Sequence, residues 1–274
     1  MGVHSFRFAV QAVPDDGEQW LATARRAEQL GYSTLLMPDG MQLPSPFPAL
    51  ALAAGATTTL HVGAFVLASP LRPPRMAAWE AHTLARLSGG RFELGIGTGR
   101  PEVAVEAVEL LGQPPTTGAQ RLAQVEQTID DLRALDGERR TPVLMAAAGP
   151  RARAVAAAKA DIVTLAAGVT ASREQVAEMI AGVRAAAGDR AAGIEFMLPI
   201  FVIGDEPLPW VQQFLQADMA TLVERESLLI LRGAAQEMAG ELERRREQLG
   251  ISYISVNAAY LDQFAPVVDL LAGR

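Results

Sequence analysis

Apolar residues along this chain follow two different periods, and these alternate from one end of the chain to the other. Residues 6–12 have the pattern of a strand, and the next segment places Trp20, Ala24 and Ala27 at the spacing of one helix face, closed by Gly31. The same alternation recurs to the C-terminus and predicts about eight strands separated by helices. The predicted strands are residues 6–12, 33–39, 60–68, 91–97, 142–147, 161–167, 194–203 and 251–257.

Strands that are separated by helices pair in parallel through right-handed crossovers, and eight such units can close into a barrel. We therefore predict an α/β fold, a single TIM-type (β/α)8 barrel, with residues 1–274 forming one domain. An open doubly wound sheet is the alternative, but its dinucleotide fingerprint would need a glycine where this chain has Arg100. A loop carrying Pro101, Pro114 and Pro115 is predicted after the fourth strand.

The fourth predicted strand ends in three alternating glycines, Gly95, Gly97 and Gly99, within the segment LSGGRFELGIGTGR. Glycine weakens a strand, so a cluster at its carboxyl end indicates that a ligand or another backbone approaches closely there. An ordinary turn from strand to loop is the competing interpretation. In a barrel the carboxyl ends of the strands form the active face, so we expect the functional site at this end.

The segment AAAGPR, residues 146–151, ends the fifth predicted strand and begins a helix. Its small residues leave backbone amides accessible, and Pro150 suits a first helical turn, where no N–H donor is required. Free N–H groups and the positive end of the helix dipole bind anions, which makes this turn a candidate phosphate site with Arg151 or Arg153 as helpers. A capped turn in an alanine-rich chain is the alternative.

Composition narrows the classes of function. A formal net charge of -7 without a basic patch argues against a nucleic-acid partner. The chain has no cysteine, which excludes a disulfide framework and a thiolate nucleophile, and no metal site is predicted. Residues 47–71 are the most apolar stretch, but Gly55, His61 and Gly63 interrupt it, so no membrane span is expected. The N-terminal segment lacks a sustained apolar region for export, and we expect a cytoplasmic protein.

Five segments together resemble the bacterial luciferase-like family of flavin and deazaflavin oxidoreductases. The segment that contains LSGGRFELGIGTG is the most specific of them, and the resemblance spans nearly the whole chain. The segments are ARRAEQLGYSTLLMPD, PALALAAGATTTLHVGAFVLASPLRPP, HTLARLSGGRFELGIGTGRPE, PVLMAAAGPRARAVAAAKADIVTLA and LRGAAQEMAGELERRREQLGISYISV.

The resemblance implies an oxidoreductase that transfers a hydride between the deazaflavin coenzyme F420 and a small organic substrate. The pattern is most similar to the branch that uses F420, although enzymes that use FMN share most of these motifs. An FMN-dependent luciferase-like monooxygenase is therefore one alternative, and a non-catalytic cofactor-binding barrel is another. Members of the family often form homodimers, but the sequence alone gives no interface.

The resemblance also assigns a role to particular positions. A non-proline cis peptide behind the flavin ring matches Phe65-Val66 to within one residue, and an acidic position near the ring matches Asp39, the candidate catalytic residue. Asp39 also fits a turn or cap in Pro-Asp-Gly, where its role would be structural. The remaining positions match backbone that runs beside the ring or holds the phosphate. They are Gly97, Thr98 and Gly99 beside the ring, Ala147, Ala148, Gly149 and Pro150 at the phosphate turn, and Ala166, Ala167 and Gly168 in the neighbouring loop.

One departure from the family pattern affects the chemistry. Many members follow the aspartate with a catalytic histidine, whereas this chain has Gly40, and its histidines are His4, His61 and His82. None of the three falls at the carboxyl end of a predicted strand, and we predict a packing role for His82. The proton donor is therefore unassigned; Glu102 is a candidate, but a solvated charge at a helix start is the favoured interpretation.

Two regions of the sequence are candidates for the substrate pocket. The loop at residues 37–47 brings Met41, Leu43 and Phe47 near the barrel mouth, and the region around Trp210 and Phe214 is a candidate lid in a helical region that extends to residue 250. These residues indicate an apolar substrate. Packing is the alternative, since methionine and aromatic residues in such loops commonly serve it.

Overall fold

A computed structural model describes residues 4–274 and confirms the predicted barrel. All barrel strands run parallel, and the sheet closes because the third strand in chain order pairs with the fifth as well as with the second. The strands are β1 (Arg7–Gln11), β2 (Thr34–Met37), β3 (His61–Ala64), β4 (Leu67–Ala68), β5 (Phe92–Gly97), β6 (Val143–Ala147), β7 (Ile162–Leu165), β8 (Glu195–Ile200), β9 (Val202–Ile203), β10 (Ile230–Leu231) and β11 (Ile251–Asn257). Their order around the barrel is β3-β2-β1-β11-β8-β7-β6-β5, with β4 also paired to β5.

The helices lie between successive strands. They are α1 (Gly17–Gln29), α2 (Pro46–Ala56), α3 (Pro74–Leu87), α4 (Pro101–Leu111), α5 (Gly118–Asp136), α6 (Pro150–Lys159), α7 (Arg173–Ala187), α8 (Pro209–Leu215), α9 (Met219–Glu224), α10 (Ala235–Leu249) and α11 (Leu261–Leu271). Side chains fix several helix starts: Asp16 accepts a hydrogen bond from the Gln19 N–H at 2.8 Å, and Thr117 forms a capping box with Gln120.

The predicted loop after the fourth strand is wrong over its first part, because residues 101–111 form α4. Pro101 occupies the first helical turn, where a missing N–H costs nothing, and Glu102 lies in the same turn. Val103 and Ala107 are buried one helical turn apart, which holds the helix against the barrel. Proline here begins a helix, whereas the sequence pattern assigned it to a loop.

Two predicted strands are divided in the structure. Residues 60–68 form β3 and β4, interrupted at Phe65 and Val66, and both parts pair with β5 in one barrel position. Residues 194–203 form β8 in the barrel and β9 outside it, where β9 pairs with β10. The β9–β10 pair has its own small core, formed by Val202, Val211, Leu215, Leu222 and Ile230.

Side chains on the strands alternate between two buried regions. Those that point outward meet the helices in the main core, for example Phe8 and Val10 of β1. Those that point inward fill the barrel, and their central layer comprises Ala9, Leu36, Leu144, Ile162, Met197 and Tyr253. Phe65 and Val66 pack on this inner layer, so the layer supports these two residues from inside the barrel.

At the amino ends of the strands the barrel is closed by a buried charge network. Arg7 forms ion pairs with Glu93 and with Glu195, and its guanidinium carbon lies 3.5 Å from the centre of the Tyr253 ring. The Tyr253 hydroxyl donates to Glu93 at 3.2 Å. These contacts join β1, β5, β8 and β11 at the end opposite to the expected site. Across residues 4–274, no helix combines the length and the apolar character that a membrane crossing requires.

Candidate active site

A cavity of about 1270 Å³ opens at the carboxyl ends of the barrel strands. Ten of the residues singled out by the sequence line it, and they come from the connections after five different strands. These residues are Asp39, Phe65, Val66, Gly97, Thr98, Gly99, Ala148, Gly149, Pro150 and Ala166. The structure therefore brings most of the predicted site residues together around one space.

Three predicted site residues do not line this cavity. Ala147 is fully buried in the main core behind it. Ala167 and Gly168 line a separate cavity of about 30 Å³ beside Phe196. The predicted segment at β6 and β7 thus contributes to the large cavity through Ala148, Gly149, Pro150 and Ala166, and its other members lie behind it.

The floor of the cavity is formed where β3 and β4 are interrupted. The Phe65–Val66 peptide bond is cis, at the bond that the family resemblance implies. The Phe65 N–H donates to the Met37 carbonyl at 2.7 Å, which ties this floor to β2. A Cβ on Gly97 would lie 3.1 Å from a Val66 methyl carbon, so glycine allows β5 to pass directly beside the floor.

Asp39 is held by an ion pair at the edge of this floor. One carboxylate oxygen accepts hydrogen bonds from the Ala68 N–H at 3.0 Å and from Arg72 at 2.6 Å, and the other accepts from Arg72 at 3.0 Å. Its side chain is 2% exposed. Both oxygens are therefore engaged, and Asp39 fixes the position of β4 and Arg72 beside the cavity.

Arg121 holds the loop after β5 in place, which the sequence did not indicate. Its Nε donates to the Thr98 carbonyl at 3.0 Å and its Nη1 donates to the Thr116 carbonyl at 2.8 Å. The Arg121 carbonyl in turn accepts from the Ser69 hydroxyl at 3.1 Å. The segment beside the floor is thus fastened to α5 by a side chain whose only sequence signal is its place one turn after the cap at Thr117.

The amino end of α6 faces the cavity. Gly149 is its N-cap and carries no capping side chain, and Pro150 follows in the first turn. The first-turn N–H groups of Arg151 and Ala152 are therefore directed at the same space, together with the positive end of the helix dipole. Arg151 lines the cavity, whereas Arg153 donates to the Ala148 carbonyl at 2.6 Å and holds the turn itself.

None of the three histidines lines the cavity. His82, on α3, pairs through Nδ1 with Asp136 at the end of α5 at 2.8 Å and so joins the two helices. Burial lowers the pKa of His61, which lies at the start of β3, although nearby Glu93 acts in the opposite direction. Glu102 is exposed in the first turn of α4 and does not line the cavity. The lining residues therefore offer Asp39 as their one carboxylate, and Arg72 already pairs with it.

The outer part of the cavity is aromatic. Phe201, Trp210 and Phe214 line it, with ring centres 5.4 to 6.5 Å apart. Leu43 also lines it, whereas Phe47 is buried against Phe92 and therefore has the packing role that was the alternative.

Comparison with known proteins identifies a family model and a set of structural neighbours. The model described as luciferase-like monooxygenase matches residues 3–208. An uncharacterised protein of Mycobacterium tuberculosis is 32% identical over 153 residues, which are 47% of this chain and 51% of that protein. An F420-dependent glucose-6-phosphate dehydrogenase of Intrasporangium calvum is 33% identical over 126 residues, 42% of this chain and 37% of that enzyme. The matches span about half or less of the curated relatives.

Solved structures share the fold over nearly the whole chain. An F420-dependent secondary alcohol dehydrogenase, in complex with an F420-acetone adduct, superposes with a TM-score of 0.76 at 16% identity, covering 98% of both chains. The F420-dependent tetrahydromethanopterin reductase of Methanopyrus kandleri gives 0.73 at 16% identity, covering 98% of this chain and 99% of that one. A riboflavin lyase with modified FMN superposes with a TM-score of 0.74 at 14% identity, and the match covers 97% of this chain and 92% of the lyase chain.

Proposed function

Because the chain belongs to the luciferase-like monooxygenase family, we propose that it is an oxidoreductase that uses the deazaflavin coenzyme F420 to exchange a hydride with a small organic substrate. The observation that carries this proposal is a single cavity that joins a flat, glycine-lined floor to the free amino end of α6. One end suits a planar ring and the other suits a phosphate.

The residues present fit such a cofactor at both ends. Val66 and Gly97 approach each other closely on the floor, so a planar ring finds a flat apolar surface without an intervening side chain. At Gly149 a Cβ would meet nothing within 4 Å, so the turn leaves open space in front of the first-turn N–H groups. An anionic group placed there would be stabilised by those donors and by the helix dipole.

Two kinds of similarity favour F420 over FMN. A curated relative is named as an F420-dependent dehydrogenase, and two structural neighbours are named as F420-dependent enzymes. The FMN-dependent monooxygenase is the second candidate, because other neighbours include an EDTA monooxygenase and the riboflavin lyase with modified FMN. The same cavity would serve both cofactors, so its shape alone does not choose between them.

In this proposal the cofactor supplies hydride chemistry and the protein supplies binding, orientation and exclusion of water. Phe65 and Val66 would support the ring, and Asp39 keeps these residues in place through Ala68 and Arg72. Arg121 fixes the loop at Thr98, which would lie beside the bound cofactor. We assign Asp39 a positioning role, because both of its oxygens accept hydrogen bonds from neighbouring protein groups, Arg72 and the Ala68 N–H.

Titration of the purified protein with F420 and with FMN tests the proposal directly. Trp210 lines the cavity, while Trp20 is buried elsewhere and Trp79 lies on α3, so quenching of Trp210 fluorescence reports on the site. Trp210→Phe identifies the part of the signal that comes from the cavity. Tighter binding of F420 supports hydride exchange, tighter binding of FMN supports the monooxygenase, and binding of neither contradicts both.

A further inference from the structure

The helix α8 carries two apolar faces, and packing against the rest of the protein accounts for only one of them. Val211 and Leu215 are buried and pack with Val202, Leu222 and Ile230, which anchors the helix on the β9–β10 pair. Trp210 and Phe214 lie on the other face, one turn apart, and are 43% and 47% exposed. The aromatic pair is therefore not needed to hold α8 in place.

The exposed aromatic pair is organised as a surface. The Phe214 ring lies 5.4 Å from Phe201 at an interplanar angle of 35°, and Trp210 meets both rings edge-on. All three line the large cavity at its outer end. Such an arrangement offers faces and edges on which a planar apolar molecule can pack.

Arg100 completes this surface from a different part of the barrel rim. It follows β5, whereas α8 follows β8, and these two strands lie three places apart in the barrel order. The Arg100 guanidinium carbon nevertheless lies 5.4 Å from the centre of the Phe214 ring. The connection after β8 therefore reaches across the mouth, and Arg100 and Phe214 meet above the cavity.

Arg100 is the lining charge that best fits a ligand beyond the cofactor. Within the described part of the chain it forms no ion pair, whereas three other half-exposed arginines, Arg26, Arg140 and Arg232, each pair with an aspartate. Asp39 is occupied by Arg72, and the third lining charge, Arg151, lies at the amino end of α6. The outer, aromatic end of the cavity thus combines apolar rings with one uncompensated positive charge.

We propose that Phe201, Trp210, Phe214 and Arg100 form a substrate subsite for a molecule with a flat apolar body and a carboxylate. The rings pack against the body, and the planar guanidinium pairs with the carboxylate through two hydrogen bonds. This inference rests on the proposed function, because it assigns the outer part of the cavity to the substrate and the inner part to the cofactor.

Three small probes separate the two recognition elements. Cinnamate has both a flat body and a carboxylate, cinnamamide lacks the charge, and 3-cyclohexylpropanoate lacks the planar body. Dissociation constants are measured by calorimetry on the full chain, alone and loaded with F420. We expect cinnamate to bind about tenfold more tightly than either comparison compound. Equal binding of all three, or no cinnamate binding at millimolar concentration, would overturn the proposal.

Variants locate the binding on the named residues. Arg100→Gln is expected to weaken cinnamate binding about tenfold while leaving cinnamamide unchanged, and Phe214→Leu and Trp210→Leu are expected to weaken both. Arg25→Gln, on an exposed face of α1, and Trp79→Leu, on α3, are matched controls outside the cavity. Thermal unfolding of each variant verifies that it folds.

The same variants are titrated with F420 and with FMN, which separates this inference from the proposed function. If Arg100→Gln weakens cofactor binding and leaves cinnamate unaffected, Arg100 belongs to the cofactor site and the subsite is wrong. If the protein binds neither cofactor but still distinguishes the probes through Arg100, the proposed cofactor chemistry is wrong and the aromatic carboxylate site stands.

Discussion

Arg72 engages both carboxylate oxygens of Asp39, at 2.6 and 3.0 Å, on the rim of the cavity. A helix, two strands and the cis peptide separate the two residues in the chain, yet they form one unit with the Ala68 N–H. The unit is almost enclosed, since the side chains of Arg72 and Asp39 are 17% and 2% exposed. It connects the end of β2 to β4 and so sets the height of the cavity floor.

Asp39→Asn tests this unit. The amide keeps an oxygen for the Ala68 N–H but leaves the Arg72 charge without its partner, so we expect the free energy of unfolding to fall by about 3 kcal/mol. Urea unfolding measures the loss. Arg232→Gln breaks the pair with Asp205, whose side chains are 48% and 72% exposed, and is expected to change stability by at most about 1 kcal/mol. Equal effects of the two variants would contradict an anchoring role for Asp39.

The barrel could be predicted from the sequence because each strand and helix can be recognised from its own short stretch of residues. Each strand and helix shows its own apolar period, and the order of the elements leaves few ways to close the sheet. The cavity-lining backbone was found for a related reason, since small residues at the strand ends form contiguous segments. The pairing of Asp39 with Arg72 had no such signal, because each residue is an isolated polar position and only the folded chain brings them together.

Features that the sequence did not predict depend on the path that the chain takes between strands. Pro101 was assigned to a loop, whereas in the structure it begins α4, which buries Val103 and Ala107 against the barrel. The meeting of Arg100 with Phe214 depends on how far the chain reaches after β8, which the apolar period does not encode. Sequence patterns thus located the inner part of the site better than its mouth.

Gly95→Ala tests the packing inside the barrel. A Cβ at this position would lie 1.8 Å from the Ala64 carbonyl oxygen, a backbone atom that cannot move without shifting β3. We expect a loss of at least about 3 kcal/mol in the free energy of unfolding, or no folded protein. Gly55→Ala, in α2, meets nothing within 4 Å and should raise stability by up to about 1 kcal/mol. If the unfolding midpoints of Gly95→Ala and Gly55→Ala shifted by similar amounts, the close packing of β5 against β3 at Gly95 would be contradicted.

Gly149→Asp tests the phosphate site at α6. The position has an extended backbone and open space, so an aspartate fits there and can cap the helix. Its negative charge should nevertheless repel a phosphate, and we expect the dissociation constant of F420 to rise at least about tenfold. Gly149→Asn has the same shape without the charge and should retain most of the affinity. Similar affinities for the two variants would place the phosphate elsewhere.

Glu241 gives the structure a specific response to acid. Its carboxylate accepts from Arg173 and Arg245, each at 2.7 Å, and so joins α7 to α10. Partial burial acts to raise its pKa, but the hydrogen bonds from Arg245 and Arg173 prevail and lower the pKa to about 2. A carboxyl group with a lowered pKa stabilises the fold fully above its unfolded value of about 4.3 and loses that contribution as the pH falls towards 2.

Glu241→Gln should therefore be less stable than the original protein at neutral pH, with a deficit that shrinks between about pH 4.5 and pH 2. The reason is that protonation removes from the original protein the same charge that the substitution removes at every pH. Urea unfolding at a series of pH values measures the difference. Glu243→Gln lies on an exposed face of the same helix and serves as the matched control, with a small deficit that does not vary with pH. A deficit for Glu241→Gln that stays constant over this range would mean that the carboxylate charge does not hold α7 against α10.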